Sequence, residues 1–477
     1  MALLADAAGV FESRLVMSLD DLIEREERVF LARQPASAAR TARAREVLAG
    51  GATSSWMISR PGTVWVSHGA GSRIWDVDGT EYVDLHGGYG VMVVGHGHPA
   101  VVEAVQRRVA RGSHFAQPTD DAVAVAENLA ERFGLPLWRF GNSGTEATMD
   151  EIHLMRAITG RDRIVKIEGS YHGHHDAVMV SMFHGFDEVG PYERPASVAA
   201  GSGIPQAMID LAAVVPFNDL DVLDAVLTEL DGRVAGVIME PMMMNAGIIP
   251  PVPGYLEGVR ALTLKHGVLL AFDEVKTGLT TGPGGVTALA GVTPDIVCLA
   301  KALGGGLPCG AIGGTAEVMS AITDGRYDQV GTFNGNPLTM AAARATLTEV
   351  LTPDAYAHLE RLSEQMMDGA LAACRANGIP AYGHRFGAKG CLVFHPTPVR
   401  HYREFLRVDT ELSHCHWLFQ HNGGVFLPPW GKSEQWTLSV QHTDRDVRRF
   451  VANVERFAES VSALDDRHSA RAHHSYA

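Results

Sequence analysis

The sequence is poor in cysteine, has no excess of positive charge and contains no long hydrophobic run. Its five cysteines are scattered and form no CxxC pair, which argues against a disulfide scaffold and a cysteine-based zinc site. The 40 lysines and arginines are outnumbered by 55 acidic residues, and a net charge of −15 has the wrong sign for a nucleic-acid or anionic-membrane binder. No apolar run approaches the roughly 18 residues that a membrane span needs. We therefore expect small-molecule partners, no nucleic acid and no membrane.

The first residues, MALLADAAGVFESR, lack the leading positive charge of a secretory signal peptide. Together with the unpaired cysteines, this predicts a protein of the reducing cytoplasm. A content of 46% hydrophobic and 20% charged residues is typical of a globular protein, and 477 residues are enough for two or three domains.

Glycine, in contrast, is abundant, and its 51 residues are clustered. Glycine-rich loops let the backbone approach a ligand closely. Ordinary turns would explain any one cluster, but so many clusters predict the rim of an active site. The clusters are Gly87–Gly97, Gly141–Gly144, Gly169–Gly173, Gly282–Gly285, Gly304–Gly314 and Gly331–Gly335.

Short apolar stretches alternate with helix-length stretches between about residues 90 and 330. This alternation predicts an α/β fold with a mostly parallel sheet that is covered on both faces. We expect an N-terminal arm and the start of a small domain at 1–75, a large domain at 76–335 and a small α+β domain at 336–477. The strand candidates are Leu137–Phe140, Arg163–Ile167, Ala177–Val180, Ala213–Pro216, Val234–Met239, Val268–Phe272 and Ile296–Leu299.

In open α/β sheets, functional residues lie just beyond the carboxyl ends of the strands. The first strand candidate runs into Gly141–Ala147, with the sequence GNSGTEA, and then into a predicted helix. Small residues and free backbone N–H groups at a helix N-terminus predict a phosphate site. Ser143 by itself would serve equally well as a helix cap.

The second strand runs into an aromatic and histidine-rich segment, EGSYHGHHD at 168–176. Its side chains include four zinc-ligand types, but they are crowded in one loop and have no distant HxxxH or CxxC partner. We therefore expect no metal here. The four are His172, His174, His175 and Asp176.

Three further strands end in Glu240, in Asp273 and in Lys301, and Lys301 opens a glycine loop. Pyridoxal phosphate would explain this combination, because its aldehyde needs a lysine, its ring nitrogen an acid and its phosphate an anion site. Its ring face also needs an aromatic platform. A lysine alone is most often a solvated surface residue, but Lys301 closes an apolar strand.

These segments together resemble the class III, fold-type I PLP-dependent aminotransferases. Within that class the chain is most similar to the glutamate-1-semialdehyde 2,1-aminomutase-like subfamily, over about residues 45–455. The resemblance implies a large domain with a mostly parallel central sheet, a smaller α+β domain and a homodimer with its active site at the subunit interface. The motifs are NSGTEA (142–147), YHGHHD (171–176), MEP (239–241) with Asn245, FDEVKTG (272–278), LAKALGGGLPCGAIGG (299–314), GTFNGNPLTMAAA (331–343) and QHT (441–443).

The resemblance also implies roles around the cofactor ring. Lys301 would form the Schiff base and carry the proton between substrate and cofactor, and Asp273 would pair with the pyridinium nitrogen. Tyr171 would stack on the ring with His172 beside it, while Asn245 would hydrogen-bond the ring hydroxyl.

Around the phosphate, the resemblance implies a second set of contacts. Ser143, Gly144 and Thr145 would hold the phosphate of the subunit's own cofactor. Thr332 would reach the phosphate of the neighbouring subunit's cofactor, which makes a dimer the working unit.

The chain departs from the family pattern where the substrate would bind. The arginine that would hold the substrate carboxylate aligns with Met57, and a neutral thioether cannot form a bidentate ion pair. Arg60 lies three residues further on and is the candidate substitute, with an ordinary surface role as the alternative. Lys276 stands where the family usually has an uncharged residue, and Glu434 falls near an aminomutase active-site glutamate.

Apolar walls of the substrate pocket are also expected, with burial in the core as the competing interpretation. The candidates are Trp56, Met57, Trp430 and Trp436. An apolar wall without the arginine favours a substrate that is less polar or bulkier than glutamate semialdehyde.

The preferred hypothesis is a PLP-dependent aminotransferase that moves an amino group between an amine or amino-acid donor and a carbonyl acceptor. The alternative is the aminomutase, which transfers the amino group within one molecule and yields 5-aminolevulinate. A catalytically inactive relative would have lost Lys301 or Asp273, and both are present. A dinucleotide-binding oxidoreductase would need a strand–GxGxxG–helix unit, which the sequence lacks.

Overall fold

The computed structural model describes residues 17–429 and 431–464. Expectations for the first 16 residues, for Trp430 and for the residues after 464 lie outside this range. Within it, the chain folds into a mixed α/β structure with three sheets. The strands are β1 (Val66–Ala70), β2 (Arg73–Asp76), β3 (Glu81–Asp84), β4 (Leu137–Gly141), β5 (Arg163–Ile167), β6 (Ala212–Val215), β7 (Val234–Met239), β8 (Leu269–Asp273), β9 (Ile296–Ala300), β10 (Gly310–Gly314), β11 (Tyr382–Phe386), β12 (Lys389–Val393), β13 (Val425–Phe426) and β14 (Trp436–Thr437).

The central sheet has seven strands in the order β4-β10-β9-β8-β7-β5-β6. Six of them run in one direction, since only β10 pairs antiparallel, with β4 on one side and β9 on the other. The prediction of a mostly parallel sheet is confirmed. Strands β7 and β9 in its interior are apolar and fully buried, as expected when helices cover both faces.

One predicted strand is wrong and one real strand was missed. Ala177, Val178 and Val180 are buried, but the segment forms only an isolated bridge between Val180 and Ala199, so its apolar character reflects core packing and not a strand. β10 has the sequence GAIGG, and its glycines hide the strand pattern. Gly310 is needed there, because a Cβ at this residue would lie 2.3 Å from the carbonyl oxygen of Ser143.

Helices flank the sheet and begin where the sequence places capping residues. Helix α6, for example, starts after Ser143 and ends at a left-handed Gly160. The helices are α1 (Leu19–Ala32), α2 (Pro35–Ala44), α3 (Gly87–Gly90), α4 (Pro99–Val109), α5 (Asp120–Phe133), α6 (Gly144–Thr159), α7 (Gln206–Ile209), α8 (Leu220–Glu229), α9 (Tyr255–Lys265), α10 (Gly285–Ala290), α11 (Ala316–Thr323), α12 (Pro337–Ala345), α13 (Pro353–Ala376), α14 (Tyr402–Phe405), α15 (Thr410–Asn422) and α16 (Asp444–Ser462).

Two smaller sheets flank the central one. Strand β13 pairs in parallel with β3, so that the sheet β1-β2-β3-β13 joins the two ends of the chain. The third sheet has the order β11-β12-β14 and packs against α13. Strand β2 spans the predicted boundary between residues 75 and 76, at which the large domain is expected to begin. The domain limits stay a prediction.

No helix in the described part of the chain is both long enough and apolar enough to span a bilayer. The five cysteines are all buried and unpaired.

Candidate active site

A cavity of about 330 Å³ lies at the carboxyl ends of the central strands. The segments after β4, β5, β7, β8 and β9 all reach it, as the topology of a parallel sheet requires. Nine residues expected in the site line the cavity, namely Trp56, Ser143, Gly144, Thr145, Tyr171, His172, Asn245, Asp273 and Lys301.

The N-terminus of α6 forms one side of the cavity. Ser143 caps this helix, since its Oγ accepts a hydrogen bond from the Glu146 N–H at 3.1 Å. A Cβ on Gly144 would lie 3.0 Å from the Val275 side chain and 3.5 Å from the Ala300 Cβ, so the backbone itself borders the cavity. The first N–H groups of a helix have no acceptor within the helix. This end of the cavity is therefore suited to a phosphate.

The carboxylate of Asp273 is held in a fixed orientation at the end of β8. Its Oδ1 accepts from the Val275 N–H at 2.9 Å, and its Oδ2 lies 2.8 Å from Nδ1 of His172. The other ring nitrogen of His172 lies 2.9 Å from the Ser170 hydroxyl. His172 thus bridges Asp273 to the loop after β5 and keeps the carboxylate facing the cavity.

Lys301 follows β9 directly and has a backbone φ of +46°, in the left-handed region that a lysine rarely adopts. Such strain is retained where the surrounding structure fixes a functional side chain. Burial, and then the positive charge of Lys276, lower the pKa of Lys301 to about 8. A large fraction of this amine is therefore neutral near physiological pH, as a nucleophile or proton acceptor must be.

Glu240 organises the wall between Tyr171 and Asn245. One carboxylate oxygen accepts from the Tyr171 N–H at 3.0 Å, and the other accepts from the Met244 N–H at 2.8 Å and from the Asn245 amide at 3.0 Å. Burial raises the pKa of Glu240. The contacts fit the interpretation that Glu240 orients the pocket wall.

Aromatic side chains close the outer side of the cavity. The ring of Tyr171 lies 5.0 Å from that of Trp56 and 6.1 Å from that of Phe183, measured between centroids. The Tyr89 hydroxyl donates to the Trp56 carbonyl at 3.0 Å and ties this cluster to α3. Burial raises the pKa of Tyr171 to about 12, so its phenol is neutral at physiological pH.

Three expected residues line neither this cavity nor the smaller one described below. Thr332 is exposed on this single chain, in the segment 331–333. Met57 is 52% exposed, and its sulfur accepts a hydrogen bond from the Thr53 hydroxyl. The candidate substitute Arg60 points elsewhere, since it forms ion pairs with Glu27 at 2.7 Å and Glu411 at 3.0 Å.

Glu434 pairs with the other unusual residue of the sequence, Lys276. The Lys276 Nζ lies 2.8 Å and 2.9 Å from the two Glu434 oxygens, and the side chains are 4% and 9% exposed. Lys276 lines the cavity, whereas Glu434 lines a smaller neighbouring cavity of about 30 Å³. Trp436 lines that smaller cavity too and is buried, as its core alternative predicts.

Sequence reasoning missed Lys389, the first residue of β12, which is fully buried. Its Nζ donates to the Thr437 hydroxyl at 2.8 Å, a contact set by the pairing of Lys389 with Thr437 between β12 and β14. Burial and the positive charge of Lys276 lower the pKa of Lys389 well below its usual range. A single lysine in a short strand carries no motif, so only the fold reveals it.

Within residues 17–429 and 431–464, no group of three or more His, Cys, Asp and Glu side chains is arranged to hold a metal ion. In the histidine-rich loop, burial and neighbouring positive charges lower the pKa of His175 to about 4.

Comparison with known proteins places this geometry in context. The family model described as aminotransferase class-III matches residues 58–380. A glutamate-1-semialdehyde 2,1-aminomutase 2 from Brevibacillus brevis is 39% identical over 390 residues, which are 81% of this chain and 89% of that protein.

Two solved structures share the fold over their whole lengths. An omega-transaminase from Sphaerobacter thermophilus matches with a TM-score of 0.85 and 35% identity, covering 90% of this chain and 99% of that one. A glutamate-1-semialdehyde aminomutase from Pseudomonas aeruginosa PAO1, solved in complex with PMP, matches with a TM-score of 0.84 and 32% identity, covering 94% and 98%.

Proposed function

The chain belongs to the class III aminotransferase family, and we propose that it moves an amino group between an amine or amino-acid donor and a carbonyl acceptor. Pyridoxal 5′-phosphate is the cofactor of this enzyme. The observation that carries the proposal is the convergence of Lys301, Asp273 and the α6 N-terminus on one cavity.

The residues present fit this cofactor. Ser143, Gly144 and Thr145 offer hydroxyl and backbone donors to its phosphate, and the close contacts of Gly144 leave room for no side chain there. When bound, the cofactor supplies an aldehyde that bonds amines and a ring that withdraws electrons from the amine-bearing carbon.

Lys301 is the group that holds and moves the proton. It is partly buried, and its pKa of about 8 keeps part of the amine in the neutral form at physiological pH. A proton carrier works best when its pKa lies near the working pH. The strained backbone at Lys301 directs the side chain into the cavity from the end of β9.

Asp273 provides the negative charge that favours a protonated ring nitrogen opposite it. It accepts hydrogen bonds from the Val275 N–H and from Nδ1 of His172, and together these prevent the carboxylate from rotating. Tyr171 and Asn245 line the same cavity, where we propose that they orient the ring face and the ring hydroxyl.

We further propose that the working unit is a homodimer. Thr332 is exposed on the single chain next to the exposed Phe333, as a residue destined for a neighbouring subunit would be. In that dimer it would reach the phosphate held by the partner.

The second candidate is the aminomutase reaction, and the 39% identity to a protein of that name favours it. It uses the same residues but keeps one substrate in the cavity through both half-reactions. The position of Met57 and the outward ion pairs of Arg60 argue against the family's usual carboxylate anchor.

A stoichiometric experiment separates the two. Enzyme in its pyridoxamine form receives glutamate-1-semialdehyde and no second substrate, while 5-aminolevulinate and the cofactor absorbance are followed. An aminotransferase should consume at most one equivalent and convert the cofactor with other carbonyl acceptors. Catalytic 5-aminolevulinate, well beyond one equivalent, would establish the aminomutase instead. The Lys301→Ala variant is the control for reaction outside the active site.

A further inference from the structure

We propose that Lys276 and Lys389 together form the binding site for a carboxylate of the substrate. The inference rests on the proposed amino-transfer function and narrows its substrates to amino and oxo acids that carry an acid group away from the reacting carbon. It replaces the expectation of a less polar substrate.

The first step concerns the orientation of Lys276. Its ammonium is held from behind, by both oxygens of Glu434 and by the Met244 carbonyl at 3.3 Å. Lys276 lines the main cavity and Glu434 only the smaller one, so the positive end of the ion pair borders the substrate space. Because its three donors already have these acceptors, Lys276 attracts a carboxylate through its charge and leaves the hydrogen bonds to Lys389. Glu434 thereby acts as a positioning residue for Lys276.

The second step concerns the unused hydrogen-bond donors of Lys389. An ammonium can donate three hydrogen bonds, and among the described residues the Thr437 hydroxyl is the one acceptor that Lys389 has. No carboxylate forms an ion pair with it within 17–429 and 431–464. Burial favours the neutral form of this amine while the site is empty, and an entering carboxylate would supply the counterion that stabilises its protonated form.

The third step concerns access between Lys389 and the reacting centre. The position that a Cβ of Gly90 would occupy lies 2.9 Å from the Lys389 Nζ and 3.9 Å from the Lys301 Cδ. The Gly90 backbone therefore packs next to both lysines, and it is the lack of a side chain at this residue that lets them lie so near each other. Gly90 has a φ of +100°, which favours glycine here independently of the space.

The charges around Lys276 and Lys389 are also complementary to a carboxylate. Lys276, Lys389 and Lys301 act on one another electrostatically, and Glu434 is the anion that they share in this region. One substrate carboxylate, together with Glu434, would give this region two negative charges to match the positive charges of Lys276 and a protonated Lys389. Charge-assisted hydrogen bonds of this kind are about twice as strong as neutral ones.

The test compares two ketones that differ only in the acid group. Enzyme in the pyridoxamine form reacts with levulinate or with 2-pentanone, and kcat/KM for conversion of the cofactor is measured from its absorbance. We expect levulinate to be preferred by about 10-fold or more in the wild type, the usual contribution of one hydrogen bond to a charged group. Lys389→Met, and separately the double variant Lys276→Met/Glu434→Gln, should each lower that preference about 10-fold.

The double variant removes both charges of the buried pair, so that no unpaired carboxylate is left to disturb folding. Lys432→Met is the matched control, because Lys432 is also largely buried but donates to the Leu406 and Val408 carbonyls. Its preference should stay within about twofold of the wild type.

A binding measurement gives a readout that is independent of turnover. Glutarate, a dicarboxylate without an amino or oxo group, is titrated into the pyridoxal form of each protein by calorimetry. Its affinity should fall about 10-fold in Lys389→Met and in the double variant, and not in Lys432→Met.

The outcomes separate this inference from the proposed function. Equal kcat/KM for the two ketones in the wild type, or glutarate binding that the substitutions leave unchanged, would overturn the carboxylate site and leave amino transfer standing. Failure of levulinate, 2-pentanone, pyruvate and glutamate-1-semialdehyde alike to convert the cofactor would overturn the proposed function itself.

Discussion

The two sides of the cavity are built differently. The cofactor wall, formed by Ser143–Thr145, Tyr171, His172, Asn245, Asp273 and Lys301, comes from the ends of adjacent strands and the loops after them. The substrate wall has Trp56 and Lys276 at the cavity surface and includes Glu434 and Lys389, which do not line the cavity themselves; its four members come from segments that are far apart in sequence. A parallel sheet brings its strand ends together by topology alone, whereas the substrate wall exists only when all four segments have packed.

The walls also differ in how their charges are compensated. On the cofactor wall, Asp273 has fixed partners in His172 and the Val275 N–H. On the substrate wall, Lys276 has a carboxylate partner while Lys389 has a hydroxyl. The groups of the cofactor wall are thus already paired and oriented, whereas Lys389 on the substrate wall keeps donors that a ligand could use.

The largest expected effect is that of Lys301→Ala on the cofactor wall. Without the amine that bonds the cofactor and carries the proton, kcat should fall by about 10⁴-fold, the upper range for removing one proton-transfer group. Borohydride should no longer fix the cofactor to the protein, which mass spectrometry of the intact chain checks. The Lys432→Ala control should keep both properties. If borohydride still fixes the cofactor to Lys301→Ala, a different lysine bonds the cofactor, and the assignment of Lys301 to the cofactor wall is wrong.

A smaller loss is expected from Asp273→Asn. The amide can still accept from the Val275 N–H but no longer carries the charge that keeps the ring nitrogen protonated. We expect kcat to fall about 10²-fold to 10³-fold, and the absorbance of the bound cofactor to shift with the loss of that proton. Asp224→Asn removes a surface carboxylate that binds Lys265 and His266, and it should leave both measurements unchanged.

The contrast between the walls explains what the sequence could predict. Asp273 and Lys301 stand at the ends of recognisable strands and belong to motifs, so their convergence follows from a parallel sheet. Met57 was placed in the pocket by alignment alone, but the turn Ser55–Met57 directs it outward. Lys276 was noticed as an unusual residue, yet its pairing with Glu434 depends on tertiary packing. Lys389 could not be found, since only the register of β12 and β14 brings it near Lys301.

A third effect links the two walls through the electrostatics of Lys276. The neutral amine of Lys301 is the form that bonds the cofactor, so the rate of cofactor capture by apoenzyme should rise with pH through about 8. Lys276 lowers the pKa of Lys301, and Lys276→Met leaves the negative Glu434 behind. The pKa of Lys301 should therefore rise, and the midpoint of the profile should move upward by about 0.5 to 1 pH unit.

Stopped-flow absorbance of apoenzyme mixed with pyridoxal phosphate, from pH 6 to 10, measures this shift. Lys276→Arg preserves the positive charge and should keep the wild-type midpoint. A midpoint that does not move in Lys276→Met would show that the substrate wall is electrostatically separate from Lys301, which would sharpen the division between the walls.

The smallest expected effect is on stability, and it tests whether Lys389 is kept for function. Burial lowers the pKa of this lysine in the folded protein, while the unfolded chain has the ordinary value near 10.5. The unfolded state then binds more protons, so the stability penalty is complete below the folded pKa and disappears as pH rises through 10.5.

Lys389→Met should remove this penalty and raise the Tm of apoenzyme by about 2 °C or more at pH 7, with a smaller gain at pH 10. Calorimetry at both pH values measures it, with the exposed Lys265→Met as a control that stays within about 1 °C. A lower Tm for Lys389→Met at pH 7 would show that Lys389 stabilises the pairing of β12 with β14. The polar groups of the substrate wall would then be satisfied as fully as those of the cofactor wall.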